Sequence, residues 1–167
     1  MASHYAALQG RFMLALDIQH VRMKQHATDK AQALQCLVDI LVEDQLVTPD
    51  YIHGLTVREQ QSATYLGQGI AIPHGTPQSR QCILKTGIRL AHFPEGVVWD
   101  GENKIYLAVV IAAKSDEHLQ VLQILTRALI NDVADQVKQA QSAEQIIALL
   151  QAQPASLEIG RASCRER

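Results

Sequence analysis

The chain has 167 residues, 47% apolar and 4% aromatic, and at about 100 to 200 residues per domain this allows one domain with short appendages. Fifteen Lys plus Arg against seventeen Asp plus Glu give a net charge of −2 with no basic block, which argues against a nucleic-acid partner held by phosphate neutralisation. The compositional oddity is seven histidines.

Residues 1–12 read as a leader of appended residues, 13–153 as the working domain, and 154–167 as a linker stub and tail, the last eight residues carrying three Arg and no apolar period. Without residues 1–12 and 160–167 the balance becomes eleven basic against sixteen acidic side chains, or −5, so a polyanion is repelled unless a local cation receives it. Cys36, Cys82 and Cys164 form no C-x-x-C pair and suit a reducing compartment. The longest apolar run, Ile105 to Ala113, has nine residues, about half of what a membrane helix needs, and the expectation is a cytoplasmic domain with no direct membrane insertion.

From Thr28 to Val47 the apolar residues Leu34, Leu37, Val38, Leu41 and Val42 mark one helical face, with Thr28 or Asp29 placed to cap it. A second helix is signalled by Thr48-Pro49-Asp50, with Pro49 suited to its first position, and runs toward Arg58. Between Ser62 and Trp99 short apolar pieces among Gly, Pro and Thr read as strands at Thr64–Leu66, Ile70–Ile72, Gly87–Leu90 and Val97–Trp99. Ile105–Ala112 is apolar throughout, as a central strand buried on both faces is. Leu119, Leu122, Leu125 and Leu129 then resume helical spacing behind Ser115 as the expected N-cap, and Ser142-Ala143-Glu144-Gln145 opens a last helix with a capping box. The fold expected is a single-domain α/β sandwich, a mixed parallel and antiparallel sheet flanked by helices.

The chemistry concentrates in Gly67-Gln68-Gly69-Ile70-Ala71-Ile72-Pro73-His74-Gly75-Thr76, where a short strand delivers His74 between a Pro that fixes the backbone and a Gly that lets another molecule approach. His118 stands in the first turn of a helix, whose N–H groups and positive potential suit an anion, and Arg58 precedes the strand region. Alone, His74 fits a surface strand end equally well, and His118 and Arg58 fit solvated surface positions better. Together, one neutral imidazole can act as nucleophile while a second imidazole and a guanidinium receive phosphoryl oxygens. No Gly-x-x-x-x-Gly-Lys-Ser/Thr loop is present, so the group does not come directly from a bound nucleotide.

The run Arg58-Glu59-Gln60-Gln61-Ser62-Ala63-Thr64-Tyr65-Leu66 through Pro73-His74-Gly75-Thr76, with Ser115-Asp116-Glu117-His118-Leu119, resembles the fructose/mannitol class of enzyme IIA domains of the bacterial phosphoenolpyruvate-dependent sugar phosphotransferase system. The resemblance extends from about Met13 to about Gln153. Lys85-Thr86-Gly87 and Phe93-Pro94-Glu95-Gly96-Val97-Val98-Trp99 are most similar to the fructose branch, the IIA domains that open the diphosphoryl transfer proteins, in which a linker and an HPr-like domain follow. It implies that His74 takes a phosphoryl group from the phospho-His form of the carrier protein HPr and passes it to a Cys of the fructose permease IIB domain. It further implies that His118 stabilises that group, that Arg58 contacts its oxygens, that Thr64 adds a hydroxyl contact, and that no cofactor takes part. Mannitol-type and nitrogen-regulatory IIA domains are the alternatives within the class. A metal-dependent hydrolase with His74, His118 and Asp116 as ligands is the remote one, disfavoured because no His-Glu-x-x-His occurs and residues two apart do not share a helix face. An apolar docking rim is expected from Ile70, Ile72 and Leu119, and the remaining histidines, His4, His20, His26, His53 and His92, are expected to have no chemical role.

Overall fold

In the computed structural model, which describes residues 16–151, five strands form one sheet. The expectations for residues 1–12 and 154–167 lie outside that range. The strands are β1 (Val21–Arg22), β2 (Tyr65–Gly67), β3 (Ile70–Ala71), β4 (Gly87–Asp100) and β5 (Asn103–Ala112), in the order β1-β4-β5-β3-β2. The β1–β4 and β3–β5 pairs are parallel, whereas β4–β5 and β2–β3 are antiparallel, so the sheet is mixed.

The helices are α1 (Lys30–Glu43), α2 (Tyr51–Gln61), α3 (His118–Ala128), α4 (Ala134–Gln139) and α5 (Ala143–Gln151), with short 3₁₀ turns at Ile18–His20 and Pro77–Cys82. Asp29 starts α1 by accepting the Gln32 N–H at 2.9 Å from an extended backbone. At α5 the Gln145 N–H donates to Ser142 Oγ at 3.2 Å and the Gln145 side chain accepts from Gln141 N–H at 2.7 Å, a capping box displaced by one residue on its return arm.

β5 is the buried centre. From Leu107 onward its side chains alternate: Leu107, Val109 and Ile111 pack with Val121 and Leu125 of α3, Val137 of α4, and Ile146 and Leu150 of α5. Ala108, Val110 and Ala112 face Leu37 and Leu41 of α1 and Tyr51 and Leu55 of α2. Helices therefore cover both faces, as an apolar central strand requires, and the α/β sandwich expected from the sequence is the fold.

Four local expectations are corrected. Pro49 lies before α2, whose first residue is Tyr51, with Tyr51 N–H bonded to Thr48 O at 3.1 Å in the preceding turn. The two strands expected at Gly87–Leu90 and Val97–Trp99 are one long strand, because the register shift between His92 and Val97 accommodates Pro94 and puts Gly96 at φ +77°. His92, expected between two separate strands, is consequently inside a single one and 0% exposed. Ser115 does not cap α3. The helix begins after Glu117, and Ser115 instead donates its Oγ (2.6 Å) and N–H (2.7 Å) to the Glu117 carboxylate.

Candidate functional site

Beyond Ala71 the chain keeps running beside β5. Ile111 N–H donates to Pro73 O at 2.9 Å, and His74 bridges to Ile111 in parallel, but Pro73 has no N–H to extend the ladder. The strand is therefore broken where His74 leaves the sheet, at the carboxyl end of β3 beside that of β5. β5 feeds the Lys114–Glu117 loop into α3, so His118 arrives at the same edge. The imidazoles of His74 and His118 stack with centroids 4.9 Å apart and planes 19° from parallel.

His74 is half-buried, and its Nδ1–H donates to Ile72 O at 2.9 Å, which leaves Nε2 with the lone pair. Burial holds its pKa below the ordinary value of 6.5, opposed by the Ile72 hydrogen bond and the Glu59 carboxylate and reinforced by the positive charge of Arg58 and by His118. The imidazole is thus neutral at pH 7, the form a nucleophile needs.

Backbone freedom after His74 is removed by Tyr51 of α2. Its buried hydroxyl donates to Ile111 O at 2.8 Å and accepts Gly75 N–H at 2.9 Å, tying β5 to the residue after the histidine. Burial pushes the phenol up to about 12, so it stays protonated and keeps both bonds. A β-carbon on Gly75 would overlap Ser79 Oγ and stand 2.6 Å from Tyr51 Cε1, which accounts for glycine at this position. Glu117 braces the other wall. It accepts from Ser115 and, at 3.2 Å, from Thr86 Oγ1; burial raises its pKa, but these hydrogen bonds outweigh that and hold it below the ordinary carboxylate value.

A small cavity at this edge is lined by Tyr51, His74, Gly75, Thr76, Arg80, Ser115 and His118, together with Ile83 and Ala113. His74 and His118 therefore come together as the sequence indicated. Arg58, in the last turn of α2, is near enough for its charge to bear on His74, and its Nη1 donates to Ser62 O at 2.6 Å. Thr64 is placed elsewhere: it is 5% exposed and its hydroxyl donates to Glu59 rather than facing the cavity. Ile70 and Ile72 are buried core residues and form no rim, whereas Leu119 is 50% exposed.

Arg80 is the residue that sequence reading missed. It lines the cavity from the 3₁₀ turn, with Nη2 on Asp116 Oδ1 at 2.9 Å. The carboxylate assigned to a metal in the remote hydrolase reading thus faces a guanidinium. The only available signal for Arg80 was its place six residues after His74 behind a Thr-Pro start, which is weak.

Residues 15–153 match the family described as "Phosphoenolpyruvate-dependent sugar phosphotransferase system, EIIA 2". The chain belongs to that family. It is 46% identical over 139 residues to the multiphosphoryl transfer protein of Vibrio cholerae, an alignment covering 83% of this chain and 35% of the relative. It is 41% identical over 130 residues to the mannitol-specific EIICBA component of Pasteurella multocida, covering 75% of this chain and 21% of that one. The chain thus spans about a third or less of the length of these relatives. The crystal structure of IIA mannitol from Escherichia coli superposes with a TM-score of 0.74 at 33% identity, covering 82% of this chain and 99% of the other. Among the described residues no helix is long and apolar enough to cross a membrane.

Proposed function

We propose that residues 13–153 form the transfer unit of a fructose-branch IIA phosphocarrier in which His74 is the covalent site. The observation that carries this reading is the His74 Nδ1–H···Ile72 O hydrogen bond beside a stacked His118, which leaves a neutral imidazole with Nε2 as its free nucleophilic atom.

In the acceptance step, the Nε2 lone pair of His74 attacks the phosphorus of a donor phosphohistidine on HPr. The new N–P bond forms as the donor N–P bond breaks, and the departing donor imidazole keeps that electron pair. No proton has to move at Nδ1, because its hydrogen bond to Ile72 O persists and suits the cationic ring of the phosphorylated state. His118, Arg58 and the positive end of α3 neutralise the phosphoryl oxygens, which is most of what such a transfer requires. In the onward step a thiolate of the fructose permease IIB domain attacks the same phosphorus and His74 leaves with the electron pair. A solved structure pairs IIA mannitol with phosphorylated IIB mannitol, which supports a IIB domain as the partner in the onward step.

A mannitol branch is the second reading, favoured by the 41% identity to the mannitol-specific relative. Incubation with phosphoenolpyruvate, enzyme I and HPr should add one acid-labile phosphoryl group to the wild type and none to His74→Ala. Label surviving in His74→Ala would sink the assignment. Offering the phosphorylated protein to isolated fructose-type and mannitol-type IIB domains then decides the branch by which one accepts.

A further inference from the structure

Glu59 is 8% exposed, follows Arg58 in sequence, and has no part in the transfer step above. A buried carboxylate is costly unless paired, and a buried ion pair adds little stability over a well-packed apolar substitute, so its contacts show what it is for. It has four. Lys30 Nζ of α1 stands 2.8 Å from Oε2; Thr64 N–H lies 3.2 Å from each carboxylate oxygen; and Thr64 Oγ1 donates to Oε1. Thr64 O accepts Ile72 N–H at 3.0 Å, and Ile72 O accepts His74 Nδ1–H at 2.9 Å. An unbroken set of contacts therefore runs from Lys30 through Glu59, Thr64 and Ile72 to the imidazole.

We propose that Glu59 is a positioning residue for His74: anchored by Lys30, it clamps Thr64, Thr64 holds the Ile72 backbone, and Ile72 fixes the tautomer and orientation of the ring. The proposal rests on His74 being the phosphoryl acceptor. The N–H and C=O of Ile72 belong to different peptide groups, so the tie is mechanical and does not relay a proton. The last turn of α2 has two arms on the same loop, Arg58 on Ser62 O at the surface and Glu59 on Thr64 in the interior, and this accounts for adjacent residues of opposite charge. The carboxylate also supports the basicity of His74 against the charges around it: Arg58 on α2, His118 on α3 and Arg80 on the 3₁₀ turn, with the protonated phenol of Tyr51 alongside.

The test compares Glu59→Gln and Thr64→Val with the wild type by ¹⁵N shifts of the His74 ring across pH and by the rate of phosphoryl acceptance from phospho-HPr. The expected result is a share of Nε2–H tautomer in both variants that the wild type lacks, a lower His74 titration midpoint in Glu59→Gln, and acceptance slowed about tenfold by misplacement. Thr64→Val keeps the Lys30–Glu59 pair and the Thr64 backbone bonds, so it decides the matter if Glu59→Gln does not fold. Folded variants with wild-type ring shifts and wild-type acceptance would overturn the proposal. Label appearing on His74→Ala in the same assay would instead overturn the acceptor reading, while the ring shifts would still report whether Glu59 sets the tautomer.

Discussion

His74 and His92 make an informative pair. Each lies on a strand path next to β5, each donates from one ring nitrogen to a backbone carbonyl (Ile72 O at 2.9 Å, Val137 O at 2.7 Å), and burial lowers the pKa of each. They differ in what lies beyond the second nitrogen. For His74 it is a cavity shared with His118 and Arg80; for His92 it is core, where Nδ1 has no hydrogen-bond partner. Burial alone makes a neutral imidazole, and only His74, the proposed acceptor, adds an opening to a cavity. A perturbed pKa therefore does not separate a reactive histidine from a packed one.

The most severe way to break this comparison is to exchange the outcomes. His74→Ala should lose all phosphoryl acceptance while its stability changes by less than about 1 kcal/mol, as for a half-buried side chain with one hydrogen bond. His92→Gln should accept the group at the wild-type rate yet lose about 2 kcal/mol, because it disturbs full packing and the bond to Val137 O. Urea denaturation alongside the labelling assay reads both. Loss of acceptance in folded His92→Gln would dissolve the distinction.

A smaller effect is expected at the clamp on the residue after His74. Tyr51→Phe leaves Ile111 O and Gly75 N–H without their partner and should cost about 2 kcal/mol. It should also slow acceptance, since the residue after His74 is released from β5. A thermal midpoint and a transfer rate both equal to wild type would show that the hydroxyl does not hold the segment.

What the sequence made legible follows from where the information is local. Asp29 as a cap, the unbroken apolar run of β5, and a histidine flanked by Pro73 and Gly75 are each encoded by neighbours in sequence. The contact of His74 with His118 was suggested by their shared chemistry and by the family resemblance but is encoded by no local signal, since it depends on β3 and β5 being adjacent and parallel. The features missed are those in which distant packing overrides a local signal. Pro94 and Gly96 part the two strands expected there but form an irregular stretch of one continuous strand, because β5 pairs with it on both sides of the register shift. Ser115 reads as a cap but is taken by Glu117, whose other oxygen is held by Thr86, 31 residues away. Thr64 reads as a hydroxyl for the site but is claimed by a carboxylate that also binds Lys30.

Acid conditions sharpen the comparison further. Because the folded-state values of His92 and His74 are depressed below 6.5, the unfolded chain binds more protons than the folded one below that pH. Their contribution to stability is therefore full above pH 6.5 and declines as the pH falls through it, with a slope of at most about 1.4 kcal/mol per pH unit for each group. His92→Gln should flatten the fall of the urea midpoint between about pH 6.5 and 5 more than His74→Ala does, since His74 is partly open to water. An unchanged acid slope in His92→Gln would mean that His92 already protonates freely in the folded state.

The smallest effect is expected at the ion pair bordering the cavity. Asp116 is 72% exposed, so its 2.9 Å contact with Arg80 contributes less than about 1 kcal/mol to stability, and Asp116→Asn should leave the thermal midpoint nearly unmoved. Its effect should appear in transfer instead. With its carboxylate partner gone, Arg80 is free to turn toward the phosphoryl oxygens, and acceptance by His74 should rise about twofold, the kinetic equivalent of ~0.4 kcal/mol. Arg80→Gln should move the rate the opposite way, and both shifts should shrink with added salt, because the charges involved face solvent. If both variants transfer at the wild-type rate in low salt, Arg80 is only a strut between the 3₁₀ turn and the loop before α3, and the electrostatics of the site reduce to Arg58, His118 and the end of that helix.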